Sequence, residues 1–512
     1  MLMLPAQLFL TLPPLLPEQE DLQPPVATVL GSVDYRTWRQ RLERIDEILR
    51  DSRAEEAFIR LALKRRLEEG KKKAAEKGRP SAKPCAGDQV LFQRMSSVAL
   101  RTTVARVLAG GSFRAFAARL ADSPLLQWFC RLNRLGDVHV PGKSQLQLYQ
   151  DMVNESELRE VIQTLLDAGA RKEPLELKEK LDLETEFLDS TCVKLNIHYP
   201  TDWVLLRDAT RTLMKATILI RRRGLKVRMR NPQGFPKEMN VLAMEMTRQG
   251  RRAGNRKKRK QTLRRMKRLV KTVAAHALRH RNLLEKRWEE TDLSRDEARQ
   301  IIHRMDTILE RLPYAIKQAH ERIIGERQVA NAEKILSLYE GHAAVYVRGK
   351  AGAEVEFGSQ LLLAEAECGL ITDWELVCGN PEHDTVLLKR SLEREGPRRV
   401  RRVVGDRGFD SKTTRDWLAA KKVVNAITPR DPNVLRRRLK QAAFRELQQR
   451  RGQTEARIAI FKNAFLGSPL LAKGHQNQAR MAAWNVLTHD LWLLAGLEKK
   501  AKKEKVALRK TG

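Results

Sequence analysis

The sequence predicts an α/β protein: a mixed sheet flanked by helices, with an all-α segment before it and a basic helical insertion within it. Three observations lead there. A β-branched run through Val403-Val404 ends at Gly405, Ser411 is placed to cap a helix through Lys421, and Val423–Ile427 is a second β-branched run. That is strand–helix–strand with a right-handed crossover, and it puts Asp406 just past a strand's carboxyl end. Strand alternation recurs at Glu186–His198, where Val193, Leu195 and Ile197 interleave with polar residues, and at Leu361–Glu367 and Leu370–Cys378, joined at Cys368-Gly369. Between these, from Asp202 to about Ala330, the period is almost entirely helical.

In chain order, residues 1–33 are Pro-rich and patternless, an unstructured leader. Residues 34–88 hold one helix, Asp34–Gly70, with Trp38, Leu42, Ile45, Ile48 and Leu49 at helical spacing, then a charged linker, Lys71–Lys83. Residues 89–172 form a helical segment: Gly110-Gly111-Ser112 ends one helix and caps the next, Ser123-Pro124 ends that one, and Ser144 caps another. A last helix starts near Ser156, with Gly169 at its C′ position. Such short helices fit a helix-turn-helix DNA reader and a plain bundle equally well. Residues 173–201 and 331–490 are assigned to the sheet-containing core, 202–330 to the insertion and 491–512 to a basic tail. Within 331–490, Asp384 is expected to cap a helix ending at Gly396-Pro397, and a long helix should run from Asn433 to Phe465.

Composition limits the partners. The 512 residues hold 98 Lys and Arg against 63 Asp and Glu, a net +35. Such an excess points to a polyanion, most simply nucleic acid. It is concentrated at residues 201–290, with 27 basic and 7 acidic residues, and Arg251–Lys271 has 12 basic residues in 21. Arg256, Lys257, Lys258, Arg259, Lys260, Arg264, Arg265, Lys267 and Arg268 form the densest run, while Leu263, Met266, Val270, Val273 and Ala277 mark its apolar stripe. A one-sign field this dense repels itself without a partner, so a sequence-independent, salt-sensitive grip on the phosphate backbone is expected. No apolar run reaches 18 residues, and the start is proline-broken without a basic n-region, which argues against a membrane protein. The five cysteines make no CxxC pair, so zinc and a disulfide framework are unsupported and a reducing, cytoplasmic compartment fits.

On the predicted 433–465 helix, Arg451, Glu455 and Lys462 are spaced four and then seven apart, one face of a helix. With Asp189 on the first strand and Asp406 after a later one, three acids sit on a β–β–α–β–α–β–α order, as a ribonuclease-H-like core requires. The segments L-D-S-T (188–191), N-I-H-Y-P-T-D (196–202), R-G-K-A (348–351), E-F-G (356–358), G-D-R-G-F-D-S (405–411) and R-x3-E-x6-K resemble bacterial insertion-sequence transposases of the DDE type with a Y-x2-R-x3-E-x6-K signature. Residues 112–123 and 141–149 are similar to the helical N-terminal domain of such enzymes. The chain departs from the signature at its tyrosine, where Gln448 stands.

The resemblance implies that Asp189, Asp406 and Glu455 are catalytic and bind two Mg²⁺ ions, Mn²⁺ substituting. Hard oxygen ligands suit Mg²⁺, and two ions can hold both the attacking and the leaving oxygen of an in-line displacement. It further implies that Arg451 and Lys462 contact phosphates of the element end. Double-stranded DNA, as terminal inverted repeats and as target, is the implied partner, with a homodimer in the synapsed complex and nucleoid association. An Arg451–Glu455 ion pair is the structural alternative. His198 and Asp202 are near the site by motif, with a structural role for His198; Asp410 is read as helping to cap the Ser411 helix. Two other functions fit the same features: a metal-dependent nuclease that does not join ends, and a catalytically inactive transposase-derived DNA-binding protein.

Overall fold

The computed structural model describes residues 11–17, 24–76, 78, 84–133, 138–250, 253–350, 353–395 and 400–498. The end of the 384 helix at Gly396-Pro397, Arg251, Ala351 of the R-G-K-A segment and the basic tail Lys499–Lys510 lie outside them.

The alternating segments pair into one mixed sheet of β1 (Thr185–Lys194), β2 (Ala344–Lys350), β3 (Ala353–Ala366), β4 (Ile371–Leu376), β5 (Arg402–Val404) and β6 (Val424–Asn425). The order is β2-β3-β1-β5-β6, and β4 pairs with β3 beyond β2. β1 is antiparallel to β3 and parallel to β5, and β5 is parallel to β6. Helices cover both faces, so the ribonuclease-H-like class holds. β2 was not foreseen: its pairing with β3 slips between Val347 and Lys350, and the irregular end blurs the alternation that makes a strand legible.

Alternation along the strands decides what each face meets. Leu188 and Val403 pack with Leu387, Leu388 and Leu392 of α12 (Asp384–Glu395) and Leu418 of α13 (Lys412–Ala420). Phe187 and Val404 turn the other way, onto Ala426 and Phe444 of α15 (Ala442–Ile460). The long helix expected over 433–465 is three pieces: α14 (Pro432–Leu439), α15, and a π-helical turn, Phe461–Leu466.

Residues before the sheet form seven helices among those described: α1 (Val33–Asp51), α2 (Ala54–Glu76), α3 (Ala86–Ala109), α4 (Phe113–Asp122), α5 (Pro124–Phe129), α6 (Lys143–Gln150) and α7 (Glu155–Arg171). The single helix expected over 34–70 breaks at Ser52-Arg53, where Arg53 takes a positive φ. Gly169 is not the C′ residue; it lies inside α7, which runs on to Arg171, and its lack of a side chain lets Leu181 pack close, a Cβ there standing 2.8 Å from Leu181 Cδ1. Gly142, rather than Ser144, precedes α6. These helices share one apolar cluster with α16 (His475–Leu494) and with Leu361, Leu363 and Trp374 of the sheet. The leader is partly ordered, contrary to expectation: Leu12 is buried, and the Gln93 amide both donates to Leu16 O and accepts from its N–H, each at 3.0 Å.

The basic segment becomes a four-helix bundle of α8 (Asp202–Arg222), α9 (Gly234–Gln249), α10 (Arg256–Arg287) and α11 (Arg295–Ile323) around its own core. The predicted stripe Leu263, Met266, Val270, Val273 and Ala277 is buried there. Burial of each large side chain contributes roughly 1.5–3 kcal/mol, enough to hold four helices whose outer faces are strongly charged. No described helix is long and apolar enough to cross a membrane.

Candidate active site

Phe187 stands beside Val404 in the parallel β1–β5 pair. Asp189 lies two residues further along β1, on the face covered by α15, and Asp406 two residues beyond Val404, just past the end of the neighbouring β5. Glu455 comes from α15, which packs on β1 and β5. Its neighbour Thr454 donates to Glu365 at 2.8 Å, and Arg450 bridges Glu365 at 3.0 Å and the Ala366 and Glu367 carbonyls, clamping α15 to the β3–β4 hairpin. Three acids 266 positions apart at the extremes thus share one edge of the sheet.

A fourth acid joins them. Asp384, the first residue of α12, does not turn back on its own helix as an N-cap would. Its Oδ1 accepts from Ser190 Oγ at 2.7 Å and Gln360 Nε2 at 3.3 Å. Gly408 separates it from Asp406: a methyl group at Gly408 would collide with Asp384 Oδ2 and lie 3.0 Å from Asp406 Oδ1. Glycine here lets the two carboxylates approach without either being pushed aside. Asp406 accepts from the Gly408 N–H at 2.8 Å, and Asp189 from the Ser190 N–H at 2.8 Å.

The electrostatics follow from this crowding. Burial, then the charge of Asp406 and those of Glu455 and Asp384, push the Asp189 carboxyl up to about 6, against the Ser190 N–H bond. Burial likewise raises Asp384; the Ser190 hydroxyl opposes the rise and Asp406 adds to it. Among the described residues no three His, Cys, Asp or Glu side chains form a preassembled metal-ligating group, and Glu455 is exposed.

The flanking cations are not arranged as their spacing suggested. Arg451 does not pair with Glu455; its Nε donates to Gln448 Oε1 at 3.1 Å. Gln448 also accepts from Thr428 Oγ1 at 2.9 Å and donates to Ala426 O at 2.6 Å, tying α15 to the end of β6. Lys462 lies in the π-helical turn, and its Nζ donates to Cys192 O at 2.7 Å and Thr191 Oγ1 at 3.1 Å on β1. Asp410 holds the Arg430 N–H and Arg415, while Ser411 caps α13 by itself. Asp202 is buried in the bundle against Gln318 and Arg322, and His198 is exposed, so it fills no structural slot.

On α10, four of the nine basic residues of the densest run have acidic or histidine partners within the bundle: Arg256 and Lys260 with Glu326, Arg265 with Glu245, and Lys267 with His320. Arg259 lies over the Trp203 ring. Lys257, Lys258, Arg264 and Arg268 are exposed, with no ion pair among the described residues.

Residues 344–491 match a family model described as transposase DDE domain. That stretch is similar to a transposase DDE domain. No curated protein and no solved structure matches it. Asp384, Asp406 and Glu455 lie inside the matched span of the transposase domain, whereas Asp189 precedes it and joins through strand pairing. Enzymes of this family cleave nucleic acid and generally use divalent metal ions. Sequence reasoning missed Asp384, Ser190 and Gly408 as site residues. Asp384 had the N-cap pattern to explain it, and only the β1–α12 contact reveals its other use.

Proposed function

We propose that this chain is a DDE transposase that cleaves DNA at the ends of an insertion sequence and joins the freed ends to target DNA, with Asp189, Asp406 and Glu455 holding Mg²⁺ or Mn²⁺. The observation that supports this best is the meeting of acids from β1, the end of β5 and α15 at one sheet edge, where their charges act on Asp189. The donor set fits such ions: hard carboxylate oxygens, with no Lys or Arg ion pair among the described residues. When bound, divalent cations supply Lewis-acid stabilisation of the phosphoryl oxygens and an acidified water.

The chain's own residues do the rest. Asp189 and Asp406 are fixed by backbone N–H groups, so their free oxygens are directed before substrate arrives. Glu455 is carried on a clamped helix with an exposed carboxylate. Gln448 aims Arg451 beside it, where a guanidinium suits a DNA phosphate. Lys462 braces β1 two and three positions beyond Asp189. The exposed face of α10 grips duplex DNA through Lys257, Lys258, Arg264 and Arg268, independent of sequence. Two copies bring two element ends together in this reading, in the cytoplasm at the nucleoid.

The test uses the full-length chain, Mg²⁺, a plasmid target and labelled duplexes carrying the inverted repeats that bracket its gene. Joined product that disappears in Asp406→Asn is the expected result. Cleavage without joining would mark a nuclease, and binding without cleavage, indifferent to Asp406→Asn, a DNA binder only.

A further inference from the structure

We infer that Asp384 is a fourth carboxylate of the cation-holding set, its Oδ2 directed at a divalent cation shared with Asp406. The inference rests on the metal-dependent reading of the site given above. Three observations carry it.

The first is placement. Asp384 and Asp406 face each other across the Cα of Gly408, where no side chain fits between them. The two carboxylates come from different elements, α12 and the end of β5, so nothing in local chain geometry forces them together. A pair is also the right number: Mg²⁺ is commonly bound by one or two carboxylates, with water and substrate phosphate completing the shell.

The second is how the oxygens are used. In Asp189, Asp384 and Asp406 alike, Oδ1 is tied by a donor: the Ser190 N–H, the Ser190 hydroxyl with Gln360, and the Gly408 N–H respectively. The Oδ2 of each accepts no hydrogen bond among the described residues. Ser190 thereby orients two of the acids at once, Asp189 through its N–H and Asp384 through its hydroxyl.

The third is the contrast with those acids of this chain that an arginine neutralises; Glu186, Glu340 and Asp490, also buried, rest instead on neutral donors or a histidine. Glu55, Asp202, Glu365, Asp373 and Asp410 each sit on an arginine. Asp384 and its three acidic neighbours have no such partner among the described residues, although the chain holds 98 Lys and Arg. Asp189, Asp384 and Asp406 are half-buried, and carboxylates partly withdrawn from water are stabilised by pairing or by metal. A tie between α12 and β1 alone would need only the Ser190 hydroxyl and a neutral acceptor, not a carboxylate facing Asp406.

The experiment titrates Mn²⁺ alone into the full-length chain by calorimetry and electron paramagnetic resonance, in wild type, Asp384→Asn, Asp406→Asn and the exposed control Asp416→Asn. Asp384→Asn should weaken Mn²⁺ binding about tenfold or more, as loss of a metal-site group does, with Asp416→Asn unchanged. In parallel, Fe²⁺ with ascorbate and peroxide should cut the wild-type backbone beside residue 384 as well as beside 189 and 406, a readout independent of whether the variants fold. Wild-type Mn²⁺ affinity in Asp384→Asn, or cuts at 189 and 406 without one at 384, would overturn the inference and leave the three-acid site standing. A wild-type chain that neither binds Mn²⁺ nor is cut at any of these positions would overturn both.

Discussion

Glu55 and Asp189 are both acids withdrawn from water in a chain of net charge +35, and the fold treats them in opposite ways. In the N-terminal helices, burial alone would raise Glu55, yet the Arg101 guanidinium, 0 % exposed and bonded to both its oxygens at 2.8 Å, brings the carboxyl down to about 2. At the sheet edge, burial and three acidic neighbours carry Asp189 to about 6. The first arrangement stabilises the fold; the second costs stability in the isolated chain. The acidic cluster has no Lys or Arg ion pair among the described residues, which in the proposed reading leaves its charge to divalent cations. In the basic bundle Lys257, Lys258, Arg264 and Arg268 are the counterpart, exposed without ion pairs among the described residues and, in the same reading, open to a polyanion.

Substitutions on either side of this contrast should separate the two roles. The largest effect is expected at the site: Asp189→Asn, Asp406→Asn or Glu455→Gln should each lower DNA cleavage at least roughly 10²–10³-fold in a gel assay, the scale of removing one preorganised transition-state group. Retention of DNA in a shift assay should persist in all three.

Next comes the paired region. Arg101→Met removes the buried guanidinium from Glu55 and Asp46, leaving them only the more exposed Arg131 and Arg50, and should destabilise the chain by up to about 3–5 kcal/mol, measured by urea denaturation. The same pair sets an acid limit. Because Glu55 is lower in the folded state than its ordinary 4.5, its contribution is complete above pH about 4.5 and is lost as pH falls towards about 2. An acid titration followed by circular dichroism should show this loss in wild type, and Glu55→Gln should flatten it.

Neutralising the unpaired acid should act with the opposite sign. In metal-free buffer at neutral pH, Asp189→Asn is expected to raise the melting temperature, by relief of roughly 1–3 kcal/mol of like-charge repulsion and desolvation. An equal or lower melting temperature would mean that the cluster is not strained by its own charge.

The smallest effects belong to α10. Replacing Lys257, Lys258, Arg264 or Arg268 singly by Ala should weaken DNA binding modestly and equally on any sequence. Each should also reduce the slope of log affinity against log salt by about 0.9 for every phosphate no longer neutralised. Arg256→Ala and Lys260→Ala, whose charges already face Glu326, should do less.

Much of this was legible in one dimension. The β-branched runs, the Ser411 cap and the stripe on α10 follow local periods of two and 3.6, which side-chain burial imposes on any sequence. Acids at positions 189, 406 and 455 could be matched to a motif because strand ends and helix faces are local features. What could not be read there depends on who meets whom. Asp384 looked like an ordinary helix start, and only the docking of α12 against β1 turned its oxygen to Ser190. Lys462 shared a face with Glu455 on an ideal helix, until the π-helical turn changed the register and gave it to β1. Basic residues of α10 form one field in sequence, and only the packing of α9 and the segment after α11 divides it into paired and free. Periodicity records which side of an element is buried; the partner waiting on that side is a long-range fact, fixed by the topology that brings distant segments together.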